Sequence, residues 1–223
     1  MTVHYQALTR DAMASCAAYD IPEGAYVNLG IGIPTRIADF IPAEREVLLQ
    51  SEQGLLGLGP KPAAGAEDPD VVNAGKHPVT LIQGASVFSH SDSFLMIRGG
   101  HIDIACLGAF QVAGNGDMAN WTTGDPKGIP GVGGAMDLAA GARKVWVLME
   151  HTDRDGRPRI LERCRFPLTA RACVHRIYTN LAVIDVTDMG LVVTRIVPGL
   201  DFEQLQSMTE ARLSRADDCS AYA

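Results

Sequence analysis

The sequence predicts an α/β fold with an open, mostly parallel sheet flanked by helices, in a single domain over residues 1–223. Apolar runs of strand length alternate with helical stretches along the chain, as in folds whose strands run parallel. Several of these runs are almost continuously apolar, which is typical of strands covered on both faces. A length of 223 residues suffices for one well-buried domain and is short for two.

Seven segments have the composition of strands, and the last has the weakest pattern. In chain order they are Tyr26–Leu29, Val47–Gln50, Val79–Ile82, Ile102–Leu107, Lys144–Met149, Leu181–Val186 and Leu191–Val197. A hairpin interrupts the alternation, because Asn115-Gly116 separates the apolar segments Leu107–Val112 and Met118–Trp121. Asn-Gly is a strong signal for a type I′ turn. Residues 60–70, rich in proline, alanine and acids, are predicted to form a surface loop.

Four segments carry helix signals. Thr9 is placed to cap an alanine-rich helix over residues 10–19, and Pro34 suits the first turn of a helix that runs to Phe40. Residues 135–140 follow two glycines and end at Gly141, a natural stop. The segment Asp201–Gln204 resembles a capping box. It predicts a C-terminal helix whose inward side chains are Phe202, Leu205 and Leu213.

The charge balance excludes several functional classes. With 19 Lys and Arg against 26 Asp and Glu, the net charge is −7, so no basic face for nucleic acid is expected. No uncharged apolar run approaches the roughly 18 residues that span a bilayer, and the first residues lack the pattern of a signal peptide. We expect a cytoplasmic enzyme without a nucleic-acid or membrane partner.

The five cysteines support a reducing compartment. Their number is odd and no pair has C-x-x-C spacing, which disfavours both a disulfide framework and a structural zinc site. Buried or half-buried free thiols are expected instead.

Residues 154–176 carry seven arginines against two acids, in an otherwise acidic chain. Such a strip could bind phosphate or the acidic face of a partner, and a solvent-exposed charged hairpin explains it equally well. The strip lacks interleaved aromatic residues, which disfavours single-stranded nucleic acid.

The glycine-rich turn after the first strand does not predict a nucleotide cofactor. In Gly30-Ile-Gly32-Ile-Pro34-Thr35, threonine stands where the third glycine of a dinucleotide motif belongs, and Pro34 lacks an amide hydrogen. A close backbone turn that follows Asn28 at the carboxyl end of the strand is the better interpretation. Serine-hydrolase and P-loop motifs are absent, and His90/Asp92 and His101/Asp103 lack further metal ligands. We therefore expect neither a metal nor a bound cofactor.

The most informative segment runs from Leu49 to Pro60. A short strand leads to a single carboxylate, Glu52, and the chain then turns through glycines that allow close approach of a ligand or backbone. No second acid follows at a spacing suited to paired carboxylate catalysis. Glu52 is therefore a nucleophile, a general base or a helix cap.

Ser51-Glu52-Gln53-Gly54 resembles the S-E-N-G block around the nucleophilic glutamate of family I CoA transferases, in their β subunit. Further blocks resemble the family in order and extend the resemblance over nearly the whole chain. They are Tyr26–Gly32, Val72–Lys76, Ser93–His101, Gly116–Trp121, Gly133–Leu138, Leu148–His151 and Pro167–Thr169. The resemblance implies the three-layer fold that CoA transferases share with sugar-phosphate isomerases.

Three segments are most similar to the 3-oxoadipate branch of this family. They are Ile129–Gly134, Arg176–Thr179 and Asp201–Gln206. The resemblance implies transfer of CoA from succinyl-CoA to 3-oxoadipate through a glutamyl-CoA thioester on Glu52. The alternatives are a succinyl-CoA:acetoacetate transferase subunit, or a non-catalytic ligand-binding or assembly subunit of the same fold.

The resemblance also assigns roles to other residues. Gly134 matches the glycine whose backbone N–H stabilises the oxyanion, and it precedes a predicted helix, where such groups are free. The residues matched to the substrate and CoA site are Asn28, Gly30, Lys76, Asn120 and Gly133. Gln53 departs from the family's asparagine, which leaves the local geometry open. The resemblance finally implies an α subunit that completes the acyl-CoA site.

Overall fold

The computed structural model describes residues 5–125 and 127–222, and its centre is a ten-stranded sheet. Five neighbouring strands in the middle of this sheet run parallel. In sheet order they are β2 (Leu48–Ser51), β1 (Tyr26–Leu29), β5 (Ile104–Leu107), β8 (Lys144–Leu148) and β10 (Val174–Tyr178). β5 is buried along its whole length, and β8 after its first residue, as expected where both faces are covered.

The sheet continues on both sides of this parallel centre. Beyond β2 lie β3 (Leu55–Leu58) and β4 (Leu81–Val87); beyond β10 lie β11 (Ala182–Thr187), β12 (Gly190–Ile196) and β13 (Leu213–Ala221). β13 runs parallel to β12, whereas the other outer pairs are antiparallel. The predicted α/β fold with a mostly parallel sheet is therefore confirmed, with the parallel pairs concentrated at the centre.

The helices flank this sheet, and four of the five pack in two pairs. They are α1 (Arg10–Asp20), a 3₁₀ helix (Pro34–Phe40), α2 (His90–Arg98), α3 (Ala135–Gly141) and α4 (Phe202–Ser207). α1 packs on the 3₁₀ helix and α2 on α3. Thr9 caps α1 as predicted, because its hydroxyl accepts a hydrogen bond from the Ala12 amide at 3.1 Å.

A second, three-stranded sheet holds the predicted hairpin. It pairs β6 (Gln111–Ala113) with β7 (Met118–Ala119) and with β9 (Ile160–Leu161). The turn type was predicted wrongly. Within the fully described residues 113–117, the positive φ falls at Gly116 alone, at 82°, whereas a type I′ turn also needs one at the preceding residue.

The C-terminal segment also differs from the prediction. The capping box at Asp201 is confirmed, but α4 ends at Ser207 and Leu213 begins strand β13 instead of facing inward from a helix. The Gln206 side chain explains the early stop. Its amide group donates to the carbonyls of Thr209 and Ala211 and accepts from the Leu213 amide at 2.8 Å, which supports the chain as it leaves the helix.

Three of the seven arginines of residues 154–176 form ion pairs in the described structure. Arg165 pairs with Glu210. Arg157 pairs with Asp153 and Asp155, and Arg176 pairs with Asp185 and Asp20. These acids come from distant parts of the chain as well as from the segment itself, so separate ion pairs offset part of the charge excess seen in the sequence.

The cysteines match the expectation of buried or half-buried thiols. Cys106 and Cys173 are buried, and Cys164 is half-buried. Burial raises the pKa of Cys173 to about 12 and that of Cys164 to about 11. These thiols therefore stay protonated and unreactive near neutral pH.

Buried His151 predicts a stability loss in mild acid. Its ring nitrogens contact the hydroxyls of Thr179 and Thr209 at 3.0 and 2.8 Å, and burial lowers its pKa from 6.5 to about 4. Between pH 4 and 6.5, the unfolded chain therefore binds more protons at this position than the folded chain does. The contribution of His151 to the free energy of unfolding is complete above pH 6.5 and decreases by about 3 kcal/mol as the pH falls to 4.

Urea unfolding between pH 7 and pH 4 tests this expectation. His151→Gln should flatten the pH dependence in that window, whereas His77→Gln, at an exposed position, should leave it unchanged. An equally steep profile in His151→Gln would show that other groups cause the acid sensitivity.

Within the described parts of the chain, every helix is too short or too polar to cross a membrane.

Candidate active site

A cavity of about 730 Å³ lies where the central strands end. Because β2, β1, β5 and β8 are parallel neighbours, their carboxyl ends meet at one edge of the sheet, where α/β folds place ligands. Each of these ends contributes to the wall. Glu52 and Gln53 follow β2, residues 30–33 follow β1, residues 107–110 end β5, and residues 148–150 end β8. Residues 131–134 before α3, with its first residue Ala135, close another side.

The turn after β2 places Glu52 at the cavity wall. The Gly54 amide donates to the Ser51 carbonyl at 3.0 Å, and the Gly54 carbonyl accepts from the Phe88 amide at 3.0 Å. Gly54 has a φ of 111°, and a Cβ there would overlap the Phe88 carbonyl. The glycine that follows Gln53 is thus required by the turn, since no other residue fits this backbone.

Glu52 sits against the start of α3. The backbone of Gly134 hydrogen-bonds to the Glu52 carboxylate, and a Cβ built on Gly134 would overlap that carboxylate and approach Phe94 Cζ at 3.1 Å. Gly134 is the N-cap residue of α3, and Gly133 before it has a φ of 52°. Glu52 therefore accepts a hydrogen bond at a helix start, as a cap does, while it also faces the cavity.

The surroundings of Glu52 make its carboxylate more basic. Burial raises the pKa of the carboxyl group, and the charge of Asp137 acts in the same direction. His90 and the Gly134 hydrogen bond lower the pKa but do not cancel the effect of burial. The result is a half-buried carboxylate with few compensating donors, which suits attack on an electrophile in a cavity.

Gln53 joins the nucleophile turn to the neighbouring loop. Its side-chain oxygen accepts from the Ser51 hydroxyl, and its side-chain nitrogen donates to the Val72 carbonyl. The side chain that departs from the family's asparagine is thus part of a fixed contact between residues 51–53 and 72.

Asn28 does not line the cavity, contrary to the expectation for a substrate contact. It is 2% exposed, and its side-chain nitrogen donates to the Gln50 side-chain oxygen at 2.6 Å. Gln50 in turn donates to the hydroxyl of Ser93 in α2 at 2.6 Å. The Asn28 side-chain oxygen has no partner among the described residues. In this structure Asn28 links β1, β2 and α2 behind the cavity wall.

Lys76 is also away from the wall. It is exposed, with a φ of 61°, in a turn that also contains Ala74, which does line the cavity. Asn120, Gly30 and Gly133 lie in the cavity wall. The Asn120 amide donates to the Gly108 carbonyl at 3.1 Å and accepts from the Thr169 hydroxyl at 2.7 Å, so it holds the loop after β5 in place.

Four charged or titratable wall residues were not predicted as site residues: His90, Arg10, Glu150 and Arg159. His90 is the first residue of α2, and its ring contacts Phe94 with centroids 4.7 Å apart. The sequence did contain start and stop signals for α2. The Ser89 hydroxyl caps the helix by accepting a hydrogen bond from the Asp92 amide at 3.0 Å, and two glycines follow Arg98. In the described residues, no group of three His, Cys, Asp or Glu side chains is placed to hold a metal ion.

Comparisons with known proteins point to one family. The model of the Coenzyme A transferase family matches residues 10–207. The chain is 57% identical to the B subunit of 3-oxoadipate CoA-transferase from Acinetobacter baylyi, over 94% of this chain and 96% of that one. It is 45% identical to the B subunit of succinyl-CoA:3-ketoacid coenzyme A transferase from Helicobacter pylori, over 91% and 97%.

The fold has solved counterparts. An acyl-CoA transferase (YdiF) from Escherichia coli O157:H7 superposes with a TM-score of 0.76 at 18% identity. The match covers 99% of this chain and 44% of that longer chain. At this identity the likeness concerns the fold alone. With the family model and the relatives in sequence, it shows that this chain belongs to the Coenzyme A transferase family.

Proposed function

We propose that this chain is the B subunit of a 3-oxoadipate CoA-transferase and that Glu52 is its nucleophile. The observation that carries the proposal is the Glu52 carboxylate, half-buried in the cavity against the Gly134 amide. The choice of acceptor rests on the higher identity to the 3-oxoadipate enzyme, 57%, than to the 3-ketoacid enzyme, 45%.

The proposed reaction passes through two kinds of covalent intermediate. The Glu52 carboxylate attacks the thioester carbonyl of succinyl-CoA, which gives a mixed anhydride and CoA thiolate. The thiolate attacks the glutamyl carbonyl, forms a glutamyl-CoA thioester and releases succinate. The carboxylate of 3-oxoadipate then attacks this thioester, and the freed thiolate attacks the 3-oxoacyl carbonyl to leave 3-oxoadipyl-CoA and the original carboxylate. Each step exchanges one acyl bond for another, so no external reagent is consumed.

Gly134 and the cavity walls have defined parts in this proposal. Each attack creates an oxyanion. In the two attacks at the glutamyl carbonyl, by CoA thiolate and by 3-oxoadipate, this charge develops on the Glu52 oxygen, next to the Gly134 backbone that hydrogen-bonds to the resting carboxylate. Burial favours the nucleophile because it weakens the solvation of the carboxylate and raises its basicity. Water has to be excluded, since it would hydrolyse both the anhydride and the thioester.

The proposed enzyme has a second, different subunit. The relatives in sequence are named as B or beta subunits, so family members of similar length work as parts of two-subunit enzymes. An α subunit would complete the acyl-CoA site in a heterodimer or heterotetramer. The proposed cellular setting is the cytoplasmic degradation of aromatic compounds through the β-ketoadipate pathway, with no resident cofactor beyond the CoA substrates.

Co-expression with the α subunit tests the proposal. Incubation with succinyl-CoA, without acceptor, should add the mass of CoA to the peptide that contains Glu52, and 3-oxoadipate should remove it. Turnover with 3-oxoadipate should exceed turnover with acetoacetate. Absence of the adduct would overturn the mechanism, whereas better use of acetoacetate would assign the chain to the succinyl-CoA:acetoacetate branch. Unchanged activity after replacement of Glu52 would favour a non-catalytic subunit.

A further inference from the structure

The cavity has a cationic side away from Glu52. Arg159 lies in the wall, and its guanidinium group donates through Nε to the Phe110 carbonyl at 2.9 Å and through Nη2 to the Ala109 carbonyl. These carbonyls belong to the loop directly after β5. Two contacts to rigid backbone fix the plane of the guanidinium group, so its position is set before any ligand binds.

Arg159 retains unused donors. A guanidinium group has five N–H donors, and the contacts to Ala109 and Phe110 occupy two of them. The Nη1 donors form no hydrogen bond to the described residues. The side chain is half-buried, so a charge-assisted bond made here is stronger than one made in open solvent.

Two acids, Glu150 and Asp153, act electrostatically on Arg159. Glu150 also lines the cavity. However, its carboxylate is paired with Arg10, another wall residue, at 3.2 Å. Arg10 thus offsets the charge of Glu150, and Arg159 remains as a second cation of the wall for an incoming anion.

The spacing fits a dicarboxylic acyl chain. Glu52 follows β2 and the Arg159 contacts follow β5, and these strands are separated by β1 alone. Two strand spacings amount to about 10 Å. An extended six-carbon chain places its terminal carboxyl carbons about 6 Å apart, and a hydrogen bond adds about 3 Å. An acyl group of this length attached at Glu52 therefore spans about the distance between the ends of β2 and β5, where the Arg159 contacts lie.

Resting on the proposed function, we infer that Arg159 binds the distal carboxylate of the acyl substrate and selects dicarboxylic over monocarboxylic 3-oxo acids. A 3-oxo acid that ends in a methyl group would leave the guanidinium donors without a partner, which penalises its binding.

Arg159→Met in the two-subunit enzyme tests the inference with two acceptors of equal chain length, 3-oxoadipate and 3-oxohexanoate. For a reaction through a glutamyl-CoA enzyme, kcat/KM for the acceptor starts from that form, so effects on donor binding cancel. We expect kcat/KM to fall about 30-fold for 3-oxoadipate, mainly through KM, and less than about 3-fold for 3-oxohexanoate. Equal losses for both acceptors, or none, would overturn the inference.

Two further variants keep the result interpretable. Arg159→Lys retains the charge and should recover most of the preference for 3-oxoadipate, even if loss of the backbone contacts lowers the melting temperature of Arg159→Met. Arg157→Met removes an exposed arginine of the same segment and should change neither acceptor. If wild-type enzyme forms the adduct on Glu52 but Arg159→Met keeps its acceptor ratio, only the inference fails; without the adduct, the proposed function fails.

Discussion

Glu52→Gln is expected to lower kcat by at least about 10⁴-fold, with no CoA adduct on the enzyme. The amide has the shape of the carboxylate, and its oxygen can still accept from the Gly134 backbone, but it cannot form the anhydride. Because burial raises the pKa of Glu52, the folded protein is less stable with this group ionised than with a neutral one. The melting temperature of Glu52→Gln at pH 7 should therefore equal or exceed that of the wild type.

If Glu52→Gln loses activity while its stability is unchanged or higher, Glu52 acts in catalysis and not in folding. Glu44→Gln, at an exposed position, is the matched control and should retain full activity. Glu52→Asp keeps the charge but withdraws the carboxylate from Gly134, and it should lose about 10²-fold. Substantial turnover by Glu52→Gln would show that a different group carries the acyl chain.

Gly134→Ala is expected to reduce kcat by about 10²–10³-fold. The added Cβ would occupy the space of the Glu52 carboxylate and would also press on Phe94, so the nucleophile and the amide can no longer face each other. Rapid-quench measurement of the glutamyl-CoA adduct should show that its formation, rather than substrate binding, has slowed.

Gly114→Ala provides the comparison for this variant. Gly114 lies in the β6–β7 hairpin, and a Cβ there would meet Ala211 at an ordinary 3.6 Å. Activity should be unchanged in Gly114→Ala. Activity of Gly134→Ala within a few-fold of the wild type would mean that the working enzyme holds Glu52 elsewhere, and it would remove Gly134 from the proposed mechanism.

The central strands could be predicted from the sequence because burial on both faces leaves a nearly continuous apolar run. β1, β5 and β8 fall within or close to the expected segments. β10 was missed, since His175 and Arg176 interrupt its pattern, and Arg176 is accommodated through Asp20, Asp185 and the Trp146 ring elsewhere in the chain. Such compensation depends on tertiary contacts, which a local pattern does not contain.

The site was predicted unevenly for a similar reason. Glu52, Gly133 and Gly134 stand in distinctive glycine-rich turns, and the structure brings them together at the cavity. The placement of Asn28 behind the wall depends on which way one strand residue faces, and the position of Arg159 depends on a contact with a loop fifty residues earlier in the chain. Neither follows from residue type or spacing.

The cavity wall is built from the ends of several strands, and this arrangement affects how acceptor preference can evolve. The turn that carries Glu52 follows β2, whereas the loops that present residues 108–110 and 148–159 follow β5 and β8. Substitutions in one loop can therefore accumulate while the nucleophile keeps its geometry. Two relatives are named for different acceptors and match this chain at 57% and 45% identity over almost the same length. This is expected when a family keeps its reaction while its substrates change.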